Sequence, residues 1–65
     1  MSLIKYLNKT VAITADNSKI FFGTVDEYFY PDENENNSES IVLRTQNCDL
    51  YEFTEDDIDA ITIID

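Results

Sequence analysis

Carboxylates dominate the side chains of this sequence that could do chemistry. The chain of 65 residues has 14 acidic and 4 basic residues, no His and one Cys, so its net charge is −10. Without His, and with the single thiol of Cys48, histidine acid–base catalysis, Cys–His catalysis and multi-cysteine zinc sites are excluded. Because Cys48 lies in a predicted turn with no nearby His, we interpret it as a spectator thiol.

One acidic cluster lies late in the chain, at Glu55, Asp56, Asp57 and Asp59. Two carboxylates can act as a general acid and base only where a cleft separates their pKa values. Stabilisation of a helical N-terminus by acids explains the same run more simply. We therefore predict no catalytic residue and a protein that is not an enzyme.

An earlier polar segment, Asp32 to Glu39, contains oxygen-bearing side chains at alternate positions, as calcium loops do. Asn37 stands where such a loop needs Gly, and Leu43 stands where it needs a bidentate Glu. The segment is predicted to be a solvated loop, and neither a metal nor a cofactor is expected.

Aromatic side chains immediately precede this acidic segment, in the run Tyr28-Phe29-Tyr30. Aromatic rings beside acids can form a groove for Arg, methyl-lysine or proline-rich peptides. The alternative is that alternate members of the run belong to the core. The candidate protein-interaction residues are Tyr28, Tyr30, Asp32, Glu33 and Glu35.

Hydrophobic alternation predicts an all-β domain over residues 1–65, with a short helix over Leu3–Leu7 capped by Ser2. Val11, Ile13 and Ala15 are predicted to share one face, as are Ile41 and Leu43. Gly23 predicts a bend or bulge in the long second strand. Thr54 is predicted to cap one helical turn over Glu55–Asp57, after which Ile58 falls out of phase with Ile61 and Ile63. The predicted strands are 10–15, 19–30, 40–45, 49–53 and 58–64.

Five short strands with tight turns are typical of a small barrel. The pattern resembles the Sm/Lsm-like group of SH3-like barrels, and particularly small Sm-like proteins of Gram-positive bacteria and their phages. The resemblance covers almost the whole chain. It implies five strongly bent strands, a short N-terminal helix and a 3₁₀ turn before the last strand. The residues that carry it are Val11-x-Ile13, Asp16-Asn17, Phe22-Gly23-x-Val25, Pro31–Glu35, Glu39-Ser40-Ile41-x-Leu43, Glu52-Phe53 and Ile58 with Ile61 and Ile63.

Departures from the family pattern fall on its RNA-binding positions. RNA-binding members carry an Asp where this chain has Phe29, and an Arg-Gly or Lys-Gly pair where it has Thr54-Glu55. The four cations do not cluster, and the net charge repels phosphate. Nucleic-acid binding is therefore not expected.

The resemblance also implies self-assembly into a ring, because family members pair the fourth strand of one subunit with the fifth of the next. The candidate oligomer-edge residues are Leu50, Tyr51, Phe53, Ile61 and Ile63. The leading hypothesis is a non-enzymatic, homo-oligomeric assembly module in the cytoplasm, with no signal peptide and no membrane segment. The alternatives are an acidic nucleic-acid mimic that inhibits a basic protein, and a weak RNA binder.

Overall fold

Five antiparallel strands form a single sheet in the computed structural model, which describes residues 2–31 and 37–64. The strand order is β4-β3-β2-β1-β5, so β4 and β5 are the outermost strands. The all-β class predicted from the sequence is confirmed, with every strand boundary within one residue of its prediction. The strands are β1 (Thr10–Ala15), β2 (Lys19–Phe29), β3 (Ser40–Arg44), β4 (Leu50–Thr54) and β5 (Ile58–Ile63).

The predicted core faces of β1 and β3 are confirmed. Val11 and Ile13 are fully buried and Ala15 nearly so, while the alternate residues of β1 are only half-buried. Ile41 and Leu43 of β3 are fully buried as well. Asp16 and Asn17 turn the chain between β1 and β2 with positive φ, as expected for residue types that tolerate the left-handed region.

The sheet curls so that the first half of β2 approaches β4. Phe21 pairs with Ile13 at the start of β2, where β2 pairs only with β1. Its ring nevertheless lies 5.3 Å from the ring of Tyr51 and 5.2 Å from that of Phe53, both in β4. Since β3 separates β2 from β4 in the sheet, this contact requires the first half of β2 to fold back over the inner face of β4.

Strand β2 carries a bulge, but not at Gly23. The extra residue is Asp26, between the pairs Val25–Leu43 and Glu27–Val42. Gly23 is needed for a different reason: a Cβ there would lie 2.4 Å from the backbone oxygen of Arg44. The predicted bulge at Gly23 is therefore wrong in position, and the glycine allows β3 to approach β2 closely.

The chain opens with a 3₁₀ turn over Ile4–Tyr6, shorter than the predicted helix. Leu3, not Ser2, stands at its N-cap and makes no capping hydrogen bond with its side chain. Leu3 is fully buried and Tyr6 is also buried, whereas Ile4 is 46% exposed. A three-residue 3₁₀ turn places side chains at a different spacing from an α-helix, so Ile4 does not share the apolar side predicted for it.

The predicted turn before the last strand is a 3₁₀ turn over Glu55–Asp57. Ile58, which the sequence pattern left out of phase, is the first residue of β5 and is buried. Thr14 pairs with Ala60 and Ala15 with Ile58, so Asp59 is an extra residue that restores the phase of Ile58. Among the described residues, no helix is long and apolar enough to cross a membrane.

Candidate interaction surfaces

The free edge of β4 presents unpaired backbone groups at two residues. The Thr45 amide donates to the Asp49 carbonyl at 3.0 Å, which fixes the alternation of hydrogen bonds along the β3–β4 ladder. By that alternation the amides of Leu50, Glu52 and Thr54 point away from β3. The Thr54 amide donates instead to the Asp57 carboxylate at 3.0 Å. Leu50 and Glu52 therefore carry the outward amides left free in this strand.

The free edge of β5 follows from the same reasoning. The Ile64 amide donates to the Thr10 carbonyl at 2.9 Å, so alternate amides along β5 point towards β1. The amides of Ile61 and Ile63 consequently point outwards. Among the described residues no ladder joins β4 to β5. Unpaired strand edges of this kind are templates for another strand.

The five predicted oligomer-edge residues differ in how much side chain they present. Leu50 is 64% exposed, Ile63 44% and Tyr51 41%. Phe53 is buried in the core, and Ile61 is half-buried and packs against the core. The side chains available to a partner at the two edges are therefore those of Leu50, Tyr51 and Ile63, together with Ile64, which the sequence analysis did not select.

A groove of about 850 Å³ lies where the curled sheet remains open between these edges. Its apolar part is the ring cluster of Phe21, Tyr51 and Phe53. Tyr51 pairs with the fully buried Leu43 and so belongs to the inner face of the sheet, yet it is exposed because no strand covers it. Ligand-binding sites are typically concave and lined by apolar and aromatic side chains, as this surface is. We call this the aromatic groove.

Carboxylates surround the aromatic groove. The charged residues lining it are five acids and one Lys, namely Asp16, Glu52, Asp56, Asp57, Asp59 and Lys19. Lys19 lies 3.7 Å from Asp16, and both side chains are about 70% exposed, so their attraction is weak. The groove therefore has a negative rim around an aromatic floor, although its residues come from four separate parts of the chain.

The predicted site at Tyr28 and Tyr30 has a different arrangement. The two rings stack edge to face with centroids 5.4 Å apart. Tyr30 is 56% exposed, while Tyr28 is half-buried and its hydroxyl donates to Glu39 at 2.5 Å. This hydrogen bond, and then burial, raises the pKa of Tyr28 to about 12. Asp32, Glu33 and Glu35 of the same predicted site lie outside the described residues.

The prediction of a solvated loop is wrong at Glu39, the last residue of the predicted loop. Its side chain is buried, and one carboxylate oxygen accepts from both the Tyr28 hydroxyl and the Leu3 amide, the latter at 3.1 Å. Its backbone carbonyl accepts from the Glu55 amide at 2.9 Å. Ser38 is buried too, and its hydroxyl lies 3.4 Å from Asp56. The end of the polar segment is therefore a structural junction, because hydrogen bonds replace the water lost from Glu39.

The outer surface formed by β5, β1 and the first half of β2 carries no charged residue, and it ends where Thr24 pairs with Arg44 of β3. Its residues alternate with the core positions of β1 and pair across β2, β1 and β5: Thr10, Ala12, Thr14, Ile20, Phe22, Thr24, Ala60 and Thr62. Ile20 and Phe22 are each 58% exposed. We call this the neutral face. It is notable in a chain of net charge −10, since the acids lie elsewhere on the surface.

The remaining candidate chemistry is sparse in the part of the chain described. No cluster of three or more His, Cys, Asp or Glu side chains among those residues could hold a metal ion. Cys48 is a free, exposed thiol in a turn, with a φ of 64°. Glu55, Asp56 and Asp57 form the last 3₁₀ turn, where Asp57 accepts from the Thr54 amide.

Comparisons of the chain with models of known protein families, with curated proteins and with solved structures find no match.

Proposed function

We propose that this chain is a non-enzymatic, Sm-like assembly module that joins copies of itself by pairing strand β4 of one subunit with β5 of the next. The observation that carries the proposal is the pair of free edges at opposite ends of one sheet. Each edge offers two outward amides and exposed apolar side chains. Because the two edges are different surfaces, their pairing is head-to-tail, and it closes into a ring when the rotation between subunits permits.

The strength of such pairing depends mostly on side chains. A backbone hydrogen bond contributes only about 0.5–1.5 kcal/mol net, and few are available at these short edges. Leu50 on one side, and Ile63 and Ile64 on the other, supply exposed apolar area. Repulsion between subunits of charge −10 opposes association, so raised salt is expected to favour it. The proposed compartment is the reducing cytoplasm, which suits the free thiol of Cys48.

Two proline variants test the pairing. Leu50→Pro removes an outward amide from β4, and Ile63→Pro removes one from β5, while the amides that bond to β3 and β1 remain. Proline is tolerated at strand edges and at the first residue of a strand, which Leu50 is. The alanine variants Leu50→Ala and Ile63→Ala control for loss of the side chain. Circular dichroism verifies that every variant folds.

Solution mass by light scattering gives the result. The unaltered chain is expected to form a discrete multimer, and each proline variant alone a monomer. An equal mixture of the two proline variants should form a 1:1 dimer, because one retains an intact β4 edge and the other an intact β5 edge. A monomeric unaltered chain would contradict assembly. A multimer that survives both prolines would contradict edge pairing as its mode.

A further inference from the structure

We infer that the aromatic groove binds an arginine side chain of an extended basic peptide. This goes beyond self-assembly, because it uses the concave surface between the two edges rather than their outward amides. The groove combines an exposed ring, a volume of about 850 Å³ and a negative rim. Together these features are complementary to a cationic ligand with a flat, partly apolar head group.

The floor of the groove accounts for the planar part of the ligand. The rings of Phe21 and Phe53 contact the ring of Tyr51, with centroid separations of 5.3 and 6.4 Å. Tyr51 remains 41% exposed. A guanidinium stacks on such a ring through its face and is attracted by the negative potential of the π system. An aliphatic or anionic group would gain only part of this interaction.

The rim accounts for the charge. Glu52, Asp56 and Asp57 each accept one hydrogen bond from within the chain. An ionised carboxylate has about four acceptor positions, so each can still receive a guanidinium N–H. The Asp59 carboxylate forms no hydrogen bond or ion pair with the described part of the chain. Lys19 already brings one ammonium group to this rim, beside Asp16.

The ligand is inferred to be an extended peptide because the groove lies between two free strand edges. An extended chain lying along the groove can direct one side chain onto Tyr51 while its backbone runs beside β4 or β5. The guanidinium of Arg, unlike the ammonium of Lys, is planar and forms two parallel hydrogen bonds to a carboxylate. Arg peptides are therefore expected to bind more tightly than Lys peptides of the same charge.

The test is a titration with the probe acetyl-Gly-Arg-Gly-Arg-Gly-amide, followed by NMR shifts of the Tyr51 ring and backbone. Peptides with Lys or citrulline in place of Arg are the ligand controls. Tyr51→Leu keeps an apolar side chain but removes the ring, and its matched control is Tyr30→Leu, an exposed ring outside the groove. Asp59→Asn is matched by Glu27→Gln, an exposed carboxylate outside the groove.

Tyr51→Leu is expected to weaken binding about two- to fivefold, the range for an exposed cation–π contact. Asp59→Asn should weaken it by about the same factor, as for an exposed ion pair. Tyr30→Leu and Glu27→Gln should change it much less, and the citrulline peptide should not bind. Equal losses for Asp59→Asn and Glu27→Gln would show diffuse charge attraction instead. Unaltered binding by Tyr51→Leu, or equal binding of citrulline, would also overturn the inference.

Solution mass is recorded at the same protein concentrations, so the two proposals fail separately. A monomer that binds the Arg peptide with this specificity contradicts assembly alone. A multimer that binds no Arg peptide, and whose monomeric Leu50→Pro variant binds none either, contradicts the arginine site alone.

Discussion

At the scale of single residues, the clearest chemical consequence belongs to Tyr28. Its hydroxyl donates to the buried carboxylate of Glu39, and this raises the pKa of Tyr28 to about 12. An unperturbed tyrosine ionises near pH 10. Since the folded-state pKa is the higher one, the stabilisation from this proton is fully present below about pH 10. It is lost as the pH rises from there through about 12.

Spectrophotometric titration of the phenolate absorbance measures this directly. One of the four tyrosines of the chain should ionise with a pKa of about 12. Tyr28→Phe should remove that step, whereas Tyr30→Phe, which alters the ring stacked on Tyr28, should retain it. The expectation is wrong if Tyr28→Phe leaves the highest step in place.

Sequence reasoning identified the special residues better than their roles. Gly23 was selected for a bend or bulge; the bulge lies at Asp26, and Gly23 lets the Arg44 carbonyl approach. Glu39 was placed in solvent because a polar run usually lies there, yet two distant donors make its burial favourable. Both roles depend on partners between 11 and 36 residues away, which no local pattern contains.

At the scale of elements, Glu39 holds three segments together. It joins the opening 3₁₀ turn through Leu3, β2 through Tyr28, and the last 3₁₀ turn through the Glu55 amide. Glu39→Ala removes both side-chain hydrogen bonds and leaves the Leu3 amide without its acceptor. We expect a loss of about 1.5–3 kcal/mol in the free energy of unfolding, the range for hydrogen bonds to a charged group.

Urea denaturation measures this loss, and Glu27→Ala is the matched control, since Glu27 is exposed. That control should change stability by no more than about 0.5 kcal/mol. Hydrogen exchange at the Tyr6 amide, which bonds to the Leu3 carbonyl, should accelerate in Glu39→Ala. Equal stability of the two variants would show that the junction is not supported by Glu39.

The strands themselves were predictable because their apolar alternation is local. Val11, Ile13 and Ala15 repeat with the period of a strand and are buried as expected. The bulges at Asp26 and Asp59 were not predictable, since one extra residue changes the phase without changing the composition. The out-of-phase Ile58 was the single signal that pointed to one of them.

At the scale of the whole molecule, charge opposes folding as well as association. The chain has fourteen acids and four cations; the ion pair Lys19–Asp16 is largely exposed and the pair Arg44–Asp26 is partly exposed. Compacting a chain with this excess of one sign brings like charges together. We expect the free energy of unfolding to rise between low salt and about 1 M NaCl, where the screening length falls to about 3 Å.

Urea denaturation at several salt concentrations, in dilute protein whose mass is checked, measures this effect. Glu27→Gln lowers the charge excess and should show a smaller salt dependence. A neutral co-solute in place of NaCl separates screening from general exclusion effects. Stability that falls or stays level with salt would contradict the expectation.

The aromatic groove was beyond sequence reasoning at this same scale. The sequence analysis selected Tyr28 and Tyr30 for an interaction site because they adjoin an acidic run, and that site stays a prediction. The groove instead assembles Asp16, Phe21, Tyr51 and Asp59 from distant parts of the chain. Only the curl of the sheet, which brings Phe21 against β4, places them together.

Because of the neutral face, the repulsion between two copies of the chain depends on how they are oriented. Two copies that meet by diffusion repel each other in most orientations, because each carries a net charge of −10 that lies outside the neutral face. The penalty is smallest when each turns its uncharged strands towards the other. Repulsion therefore favours encounters in which the neutral faces of the two copies meet. The β5 edge borders the neutral face, so it is the edge that lies nearest the partner in such an encounter.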